Sequence, residues 1–528
     1  MNGKSDDLTI GKADVGVVDH PITRSPDHRI VPSPDHPMKW LATGHWPLTT
    51  VLCCLLLTSC AVGPNYHRPT APVPETYKES PPEGWKQAQP NEGVLRGKWW
   101  EIYNDPQLNA LEEQVSISNQ NVLVALAQYR EARDTVRIAR ASYFPVLSTA
   151  PSASSVRTSS TITSSPSFAP GARADYTLPV DFSYQADIWG SIRRSVAASY
   201  ANAQVSAADL ENARLTYQAE LAEFYFELHG QDGDEDLLER TLKAYQDYLQ
   251  LTQDRYKVGV ASGADVAQAE TQLDTTRTQL IDLEVQRTQF EHAIAILIGK
   301  PPAGVSLPRV VLKTPPPPIP VGLPSTLLER RPDIAADERL VAAANEQIGI
   351  AKAAFFPTLV LSASGGFESA SLGNWFTWPS RFWSLGPQLA ETLFEGGKRS
   401  AQLDQQRAAY DATVAAYRQT VLTAFQQVED NLAALHILEQ EAAAADKAVR
   451  AAEDSLAIST AQYKAGTADY LQVITAQTAA LQNERTAVDI LTRRLTASVL
   501  LIEGLGGGWN TSQLPTDGAL RQVSNKQP

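Results

Sequence analysis

The residues of this chain best suited to chemistry are three cysteines that lie within eight residues of one another. They are Cys53, Cys54 and Cys60, and none of the residues after Cys60 in the 528-residue sequence is a cysteine. An apolar segment of about a dozen residues, Trp46 to Leu57, precedes Cys60. This length is typical of the apolar part of a signal peptide, because a membrane-spanning helix needs roughly 20 residues. The last thiol is therefore placed for acylation rather than for a disulfide bond.

Leu57-Thr58-Ser59-Cys60 resembles a bacterial lipobox, in which small residues expose an acylated cysteine to a signal peptidase. The alternative is an ordinary secretory signal in which the cysteine occurs by chance. Two or more acyl chains anchor a protein durably, since each buried CH₂ contributes about 0.8 kcal/mol. The residue after the cysteine is Ala61 and not Asp. This resembles the sorting rule by which lipoproteins without Asp at this position are sent to the outer membrane. We therefore predict lipid attachment at Cys60 and a leader and signal peptide over residues 1–59, with translation starting at Met1 or at Met38.

The composition excludes some classes of protein. The formal net charge is −14 and the sequence pI is about 5.2, which argues against a nucleic-acid partner because such proteins carry clustered basic residues. After the signal segment, none of the sequence approaches 18 continuous apolar residues. If the mature chain crosses a membrane, it must therefore cross it as β-strands.

A catalytic constellation is not found in the mature sequence. Its histidines are isolated and lack metal-ligand spacing; they are His67, His229, His292 and His436. A Walker-type phosphate loop and a Gly-x-Ser-x-Gly elbow are also missing. We therefore predict a protein that is not an enzyme and that uses no metal or cofactor.

The mature chain contains an internal duplication. Tyr256-Lys257-Val258-Gly259 matches Tyr463-Lys464-Ala465-Gly466 at an offset of 207, and Phe144-Pro145 matches Phe356-Pro357. Matches spread over several regions indicate a repeat rather than a coincidence. The predicted organisation is a lipidated extended segment, a first repeat, a Pro-rich linker, a second repeat and a tail, at residues 60–94, 95–313, 314–324, 325–508 and 509–528.

Each repeat is predicted to contain a helix, two strands, a long helix, a turn and a helix. Apolar residues at alternating spacings of three and four from Tyr410 to Leu456 indicate a coiled-coil seam. In the first repeat, His229 to Asp236 (HGQDGDED) looks like a break, because glycine is unfavourable in a helix. The second repeat has no such breaker, so we predict two continuous helices of about 100 Å over Ser191 to Val258 and Gly397 to Ala465.

The predicted strands include one with strict alternation. From Tyr176 to Ile188 every even position is apolar, as in a transmembrane barrel strand, although a half-buried strand of a soluble sandwich would also alternate. The other predicted strands, Tyr143 to Ser152, Phe356 to Phe367 and Arg381 to Phe394, alternate less clearly. Four strands are too few to close a membrane barrel, and three chains would supply twelve.

Five sequence motifs follow one another along the mature chain: Cys60-Ala61-Val62-Gly63-Pro64-Asn65-Tyr66, Lys98-Trp99-Trp100 with Asp105-Pro106-Gln107-Leu108, Glu329-Arg330-Arg331-Pro332-Asp333-Ile334, Phe355-Phe356-Pro357 and Gly506-Gly507-Gly508-Trp509. In these motifs the chain resembles the TolC/OprM-type outer-membrane efflux channels, and most of all their NodT-type lipoprotein branch. The resemblance covers nearly the whole mature sequence, from about Cys60 to Trp509.

The resemblance implies a mostly α-helical protein with a transmembrane β portion. A homotrimer would complete a twelve-stranded barrel among outer-membrane lipids, continued by a long α-helical barrel through the periplasm. Such a channel is a passive, gated conduit for drugs or other small molecules. Its implied partners are a periplasmic adaptor (membrane fusion protein) and an inner-membrane efflux pump of the RND type.

The resemblance also assigns the two Tyr-x-x-Gly turns to the end of the helical barrel, where the tunnel narrows and adaptors make contact. The expected contact residues are Tyr256, Gly259, Tyr463 and Gly466, although these residues also serve as ordinary turn and cap residues. Asp265 and Asp469 are the predicted gate carboxylates. Asp265 either faces the pore or favours the N-terminus of its own helix.

The second repeat departs from the family pattern, because Gln472 and Thr475 stand where relatives often carry aspartate. Two other functions remain open from the sequence. A type I secretion duct for polypeptides would share the fold, and a periplasmic coiled-coil scaffold lipoprotein would share the long helices but not the amphipathic strands.

Overall fold

The structure is a computed structural model that describes residues 61–79, 97–157, 159, 172–322 and 324–521. The described residues belong to one compact unit, Ser59–Pro528. The predicted signal peptide and Cys60 lie outside the described residues.

The described residues form long helices and one antiparallel sheet. In chain order the helices and strands are α1 (Pro106–Ser118), α2 (Gln120–Ala141), β1 (Val146–Ser148), β2 (Ser152–Val156), β3 (Arg173–Ala186), α3 (Ser191–Lys257), α4 (Gly263–Leu297), α5 (Leu327–Arg330), α6 (Pro332–Ala353), β4 (Thr358–Ser369), β5 (Arg381–Ala390), α7 (Lys398–Ala465), α8 (Tyr470–Gly504) and α9 (Asp517–Arg521). Short 3₁₀ turns, such as Trp99–Tyr103, connect some of them.

The long helices are continuous, as the sequence predicts. α3 has 67 residues and α7 has 68, so each is about 100 Å long. The two glycines of the His229 to Asp236 segment lie inside α3 and allow close packing on α8. A Cβ atom at Gly230 would lie 2.5 Å from the Thr492 hydroxyl oxygen, and one at Gly233 would lie 3.2 Å from Val488. These glycines therefore serve contact between helices, which offsets their low helix propensity.

The sheet has the order β1/β2, β3, β4, β5, and every pairing is antiparallel. β1 and β2 keep one register against β3, since Ser148 pairs with Asp181 and Ser152 with Thr177. They are thus two pieces of one interrupted strand. The prediction of an unbroken strand from Tyr143 to Ser152 is wrong in both continuity and extent.

The interruption has a physical cause in two prolines. Pro151 lies in the gap between β1 and β2, and at the common register the gap lies opposite Pro179. Neither residue has an N–H to donate to the ladder. The Thr149 hydroxyl instead donates to the Pro179 carbonyl oxygen at 2.6 Å. On the other side Pro179 pairs with Gly366, where a Cβ atom would lie 2.0 Å from the Leu178 carbonyl oxygen. Only glycine fits there.

The other strand predictions are correct in place and differ at their ends. β3 and β4 are shifted by two or three residues from their predicted bounds, and β5 ends at Ala390 instead of Phe394. On β5 the exposed apolar side chains Trp383, Leu385 and Leu389 follow period two. The alternation is weakened in the sequence by Arg381 and Pro387 on this face and by Phe382 on the other.

The same order of elements occurs twice. α2 and α6 both have 22 residues and occupy positions that differ by 212, and α4 and α8 both have 35 residues. α3 and α7 both begin after a left-handed glycine, Gly190 and Gly397. The main apolar core lies between these helices, and the segment that joins the repeats contributes Leu307, Ile319 and Val321 to it. That segment is packed against the helices and does not act only as a spacer.

Within the part of the chain that the structure describes, none of the helices combines enough length and apolar character to cross a membrane.

Candidate functional site at the helix turns

Two turns connect the long helices to the helices that follow, and they have the same backbone. The α3–α4 turn places Gly259 at φ +78°, and the α7–α8 turn places Gly466 at φ +78°. These are the two glycines that the sequence predicts as helix C-terminal residues with positive φ. In both turns the N-cap of the following helix lies three residues after the glycine, at Ser262 and at Asp469. The two turns are therefore equivalent in backbone geometry and differ in side chains.

The first turn is closed by a reciprocal capping box. The Asp265 N–H donates to the Ser262 hydroxyl oxygen at 3.2 Å, and the Ser262 N–H donates to the Asp265 carboxylate at 2.8 Å. Asp265 is thus held at the N-terminus of its own helix, which is the structural alternative of the sequence analysis. This bond uses one carboxylate oxygen, and the half-buried side chain remains partly open to solvent.

The second turn lacks this capping box. Asp469 occupies the N-cap position equivalent to Ser262, its side chain makes no cap hydrogen bond, and it is exposed. Gln472 occupies the position equivalent to Asp265. The two predicted gate carboxylates therefore lie at different helix positions, one at N3 and one at the N-cap.

The tyrosines of the two turns lie in opposite environments. The Tyr463 side chain is only 4% exposed and packs against Tyr470 with ring centroids 5.3 Å apart, whereas Tyr256 is 54% exposed. Ala269 and Val473 complete the cluster around Tyr463. Burial, followed by the nearby Tyr463 phenol, raises the pKa of Tyr470 well above its usual value. The first turn instead exposes Val258 and Val260 beside Tyr256.

Arg255 connects the two turns. Its guanidinium lies over the Tyr463 ring, 4.6 Å from the centroid, and its Nη1 donates to the Lys464 carbonyl oxygen at 3.3 Å. The Thr252 and Tyr463 hydroxyl oxygens are 3.4 Å apart, and those of Tyr248 and Thr460 are 3.0 Å apart. The sequence analysis did not predict this contact. The signal available in the sequence was that Arg255 directly precedes Tyr256, one of the two repeated tyrosines.

A second polar cluster lies along α3, in the His229 to Asp236 segment, which looks like a break in the sequence but is predicted to be helical. The buried His229 Nδ1 lies 2.7 Å from an Asp232 carboxylate oxygen, which also accepts the Val310 N–H at 3.0 Å. Arg287 of α4 donates to the other Asp232 oxygen at 2.7 Å. Burial by itself raises the pKa of Asp232, but the hydrogen bonds from His229, Val310 and Arg287 outweigh burial and lower this pKa below its usual value. This cluster fastens the segment between the repeats to both helices.

The residues directly after Cys60 are fixed at the junction of sheet and helix. The Val62 N–H donates to the Trp189 carbonyl oxygen at 3.1 Å, and Ala61 lies against Gly190, the residue before α3. Trp189 stacks on Phe356 with centroids 4.6 Å apart and donates its indole N–H to the Pro357 carbonyl oxygen at 2.8 Å. Cys60 itself lies outside the described residues, but its neighbour has a defined position.

Aromatic side chains lie at the opposite end of the sheet, in the loop between β4 and β5. Trp375 stacks on Phe376 with centroids 4.8 Å apart and donates to the Phe367 carbonyl oxygen at 3.2 Å. Trp378 is exposed and lies beneath the Arg381 guanidinium, and Trp383 on β5 is 81% exposed. The loop thus combines packed aromatics with exposed ones.

Groups of three or more His, Cys, Asp or Glu side chains arranged to hold a metal ion were not found among the residues that the structure describes. The distances at the turns indicate helix capping and contact between helices, with two carboxylates that reach solvent.

Comparison with known proteins gives consistent matches over most of the chain. Residues 111–300 and 323–507 match the family model described as "Outer membrane efflux protein". The chain is 30% identical over 463 residues to the "Probable efflux pump outer membrane protein TtgC" of Pseudomonas putida, and the match covers 88% of this chain and 95% of the relative.

Two further similarities agree with these. The "Outer membrane protein OprJ" of Pseudomonas aeruginosa is 30% identical over 467 residues, with 88% of this chain and 96% of the relative covered. Among solved structures, the outer-membrane channel OprN superposes with a TM-score of 0.77 at 28% identity, over 85% of this chain and 100% of that channel.

Proposed function

The chain belongs to the outer membrane efflux protein family, and from this premise we propose that it forms the outer-membrane exit duct of a tripartite efflux system. Three copies enclose the duct. An inner-membrane pump of the RND type and a periplasmic adaptor deliver drugs or other small molecules to it. The chain supplies no chemistry of its own, and energy comes from the pump.

The observation that carries this function is the continuity of sheet and helices. One antiparallel sheet has four strand positions. Its strand β3 is followed by α3 and its strand β5 by α7, and each of these helices is about 100 Å long. A sheet with two open edges is not stable in hydrocarbon, because its outer N–H and C=O groups have no partners there. Copies joined edge to edge satisfy those groups and enclose a lumen.

The position of Ala61 supports a lipid anchor on Cys60. Ala61 and Val62 are held at the junction where β3 ends and α3 begins. An acyl chain on the preceding residue would therefore lie at the level where the sheet leaves the bilayer. The acyl groups then insert beside the barrel and fix its height in the outer membrane.

The two turns form the periplasmic end of the duct and its gate. Asp265 and Asp469 bring two carboxylates per chain, hence six per trimer, to this end. Like charges around a narrow axis favour cations at the constriction. The exposed side chains of the first turn, Tyr256, Val258 and Val260, offer an apolar surface for the adaptor.

Conductance in planar bilayers tests the duct. The purified, detergent-solubilised protein is expected to open discrete channels, whereas a scaffold lipoprotein would give no conductance. Deletion of the gene should also lower resistance to drugs in the strain that carries the partner pump, and should have no effect where that pump is already missing. A wild-type susceptibility profile in the deletion strain, together with silent bilayers, would contradict the function.

The role of Asp265 is tested by separating its charge from its cap. Asp265→Asn removes the charge and keeps an acceptor for the Ser262 N–H, while Ser262→Ala breaks the capping box and leaves the carboxylate. If Asp265 faces the lumen, only Asp265→Asn reduces the preference for cations in single-channel recordings. Unchanged selectivity in Asp265→Asn would assign this residue to capping alone.

A further inference from the structure

Helix α1 carries a buried carboxyl group inside its apolar face. The buried residues of this helix occupy positions i, i+3, i+4 and i+7 of one face, and they are Leu108, Leu111, Glu112 and Val115. Glu112 is 0% exposed, and protein atoms cover both of its carboxyl oxygens. Neither oxygen is hydrogen-bonded to another described residue. Most buried polar side-chain atoms in native proteins have a hydrogen-bond partner, so this carboxyl group requires an explanation.

The surroundings of this face are apolar. Leu108, Leu111 and Val115 belong to the main core of the protein, together with Trp99 and Trp100 of the preceding 3₁₀ turn. The two indole rings meet edge to face with centroids 5.8 Å apart. Their N–H groups are also buried and are not hydrogen-bonded to any described residue. The core around α1 therefore offers little that could stabilise a negative charge.

Within the described part of the chain, the elements packed against α1 supply no positive charge to Glu112. On the 3₁₀ turn, the Tyr103 phenol interacts with Glu112, but its hydroxyl group is hydrogen-bonded to α8 at 2.6 Å. On α3, the Tyr225 hydroxyl donates to Asp105, at the N-terminus of α1, at 2.6 Å. α2 follows α1 after the uncharged Asn119. Burial without a compensating charge raises the pKa of Glu112 well above its usual value.

The α1 segment, residues 99–119, connects the two repeats. On α3 of the first repeat, the Gln218 amide donates to the Ser116 hydroxyl oxygen at 3.0 Å. Just after α8 of the second repeat, a Cβ atom at Gly507 would lie 3.3 Å from the Trp99 Cδ1 atom, so the two residues are in close contact. The hydrogen bond of Tyr103 to α8 is a further link. Release of the α1 segment would thus remove contacts that α3 and α8 share.

An ionised Glu112 is not compatible with this packing. A carboxylate in an apolar core is unstable unless a partner or water compensates its charge. A neighbouring copy cannot compensate it, because the two oxygens are already covered within one chain. Water can reach them only if α1 moves away from α3. The docked segment therefore requires a proton on Glu112.

We propose that Glu112 makes the docking of the α1 segment on α3 and α8 depend on pH. The segment stays docked while the Glu112 carboxyl group is protonated, and it opens to water when this group ionises. This device lies within one chain and does not depend on the proposed duct. It gives the place where the two repeats meet a response to alkaline conditions.

The direction of the response follows from proton linkage. The docked state binds the proton more tightly than an exposed glutamate does, because burial raises the pKa of Glu112. The contribution of Glu112 to docking is therefore complete below about pH 4.5, the usual glutamate value, and is lost as the pH rises through the raised pKa. Beyond that value, each further pH unit favours the open segment about tenfold.

Hydrogen exchange tests this response in the purified, detergent-solubilised protein. The protection of the α1 amides is measured at about pH 5 and about pH 9, a range that includes the pKa values known for buried glutamates. Each exchange rate is compared with that of an unfolded peptide at the same pH, so that only the opening of structure is measured. We expect α1 protection to fall at least about tenfold while the α7 amides keep theirs. Constant protection of α1 would overturn the proposal.

Two substitutions remove the titrating group in different ways. Glu112→Gln keeps the shape of the side chain without its charge, and Glu112→Leu continues the apolar face, so a folding defect in one variant leaves the other. Both should limit the change in α1 protection to less than about twofold over the same pH range. If a folded variant retains the full fall of the unsubstituted protein, another group carries the response and the proposal is wrong.

The matched control is Glu113→Gln, on the next residue. Glu113 is exposed and pairs with Lys98, so this substitution removes a carboxylate from α1 but not the buried one. The control should keep the fall of about tenfold. A flat profile in Glu113→Gln would assign the response to the surface pair and overturn the role of Glu112. Conducting channels with constant α1 protection would leave the proposed duct in place and remove only this device.

Discussion

The α3–α4 and α7–α8 turns share a backbone but bury different residues. Both place glycine at φ +78° and have the N-cap of the next helix three residues later. The first turn hydrogen-bonds its Asp265 cap and exposes Tyr256; the second leaves its Asp469 cap unbonded and buries Tyr463. Local stability thus comes from a cap in one turn and from aromatic packing in the other.

This difference shows that two turns with the same backbone geometry can have different roles. The second turn receives Arg255 from the first, so its aromatic cluster is a contact between repeats. The first turn needs no such support, because its capping box closes within four residues. It is therefore free to present apolar side chains to a partner while the second turn holds the two helical hairpins together.

Alanine at the two equivalent tyrosines should give the largest difference. Tyr463→Ala removes a buried ring that packs on Tyr470 and supports Arg255, so we expect a loss of about 3 kcal/mol of local stability, as for other buried aromatics. Tyr256→Ala removes an exposed ring and should change stability by less than about 0.5 kcal/mol. Hydrogen exchange of the amides in both turns measures this.

The matched control for that experiment is Tyr463→Phe, which keeps the ring beneath Arg255 and loses only the hydroxyl near Thr252. It should lie close to the unsubstituted protein. Equal losses for Tyr463→Ala and Tyr256→Ala would mean that the two turns are equally packed in the assembled protein, and the division of roles would have to be abandoned.

The glycines should behave alike, because there the two turns are the same. Gly259→Ala and Gly466→Ala each place a Cβ atom in a left-handed conformation, at a cost of about 1 to 2 kcal/mol. Steric contact adds little, since the space at Gly259 is open and the nearest atom at Gly466 is 3.9 Å away on Arg255. Thermal unfolding in detergent should show similar decreases; a much larger loss at one position would reveal a contact made by another chain.

Sequence reasoning located these turns and helices because repetition and periodicity are local signals. The matching Tyr-x-x-Gly segments located both turns. The equivalent segment of the second repeat has no glycine, which predicted that the glycines near His229 lie within a helix. It did not find Arg255 over Tyr463 or Asp232 with Val310, because those contacts depend on how distant helices align. It also missed the break between β1 and β2, where Pro151 in the gap and Pro179 on the neighbouring strand both lack an N–H donor.

The caps should show a smaller difference. Ser262→Ala removes the hydroxyl that accepts the Asp265 N–H, and we expect a loss of about 1 kcal/mol. Asp469→Ala removes a side chain that makes no cap hydrogen bond, so its effect should be limited to the helix dipole, about 0.3 to 1 kcal/mol and screened by salt. Unfolding at low and high salt separates them: only the Asp469→Ala effect should fade, and a salt-independent loss there would indicate a capping bond.

The smallest effect concerns pH and extends the comparison to the long helices. Burial, followed by the negative charges of Glu503, Glu220 and Glu227, raises the pKa of Glu223 on α3 from 4.5 to about 7. Between these two pH values the folded chain retains a proton that the unfolded chain releases. The contribution of Glu223 to stability is therefore full below about pH 4.5 and is lost as the pH rises to about 7. Because the side chain is partly exposed, solvent screening keeps the effect small.

The equivalent residue in the second repeat, Asp430, is exposed on α7 and provides the matched control. Glu223→Gln removes the titrating group, so its unfolding temperature should fall less between pH 5 and pH 7 than that of the unsubstituted protein, whereas Asp430→Asn should leave this pH dependence unchanged. If both variants keep the full slope, the Glu223 carboxyl does not carry this pH dependence, and its burial beside Glu503, Glu220 and Glu227 does not raise its pKa in the assembled protein.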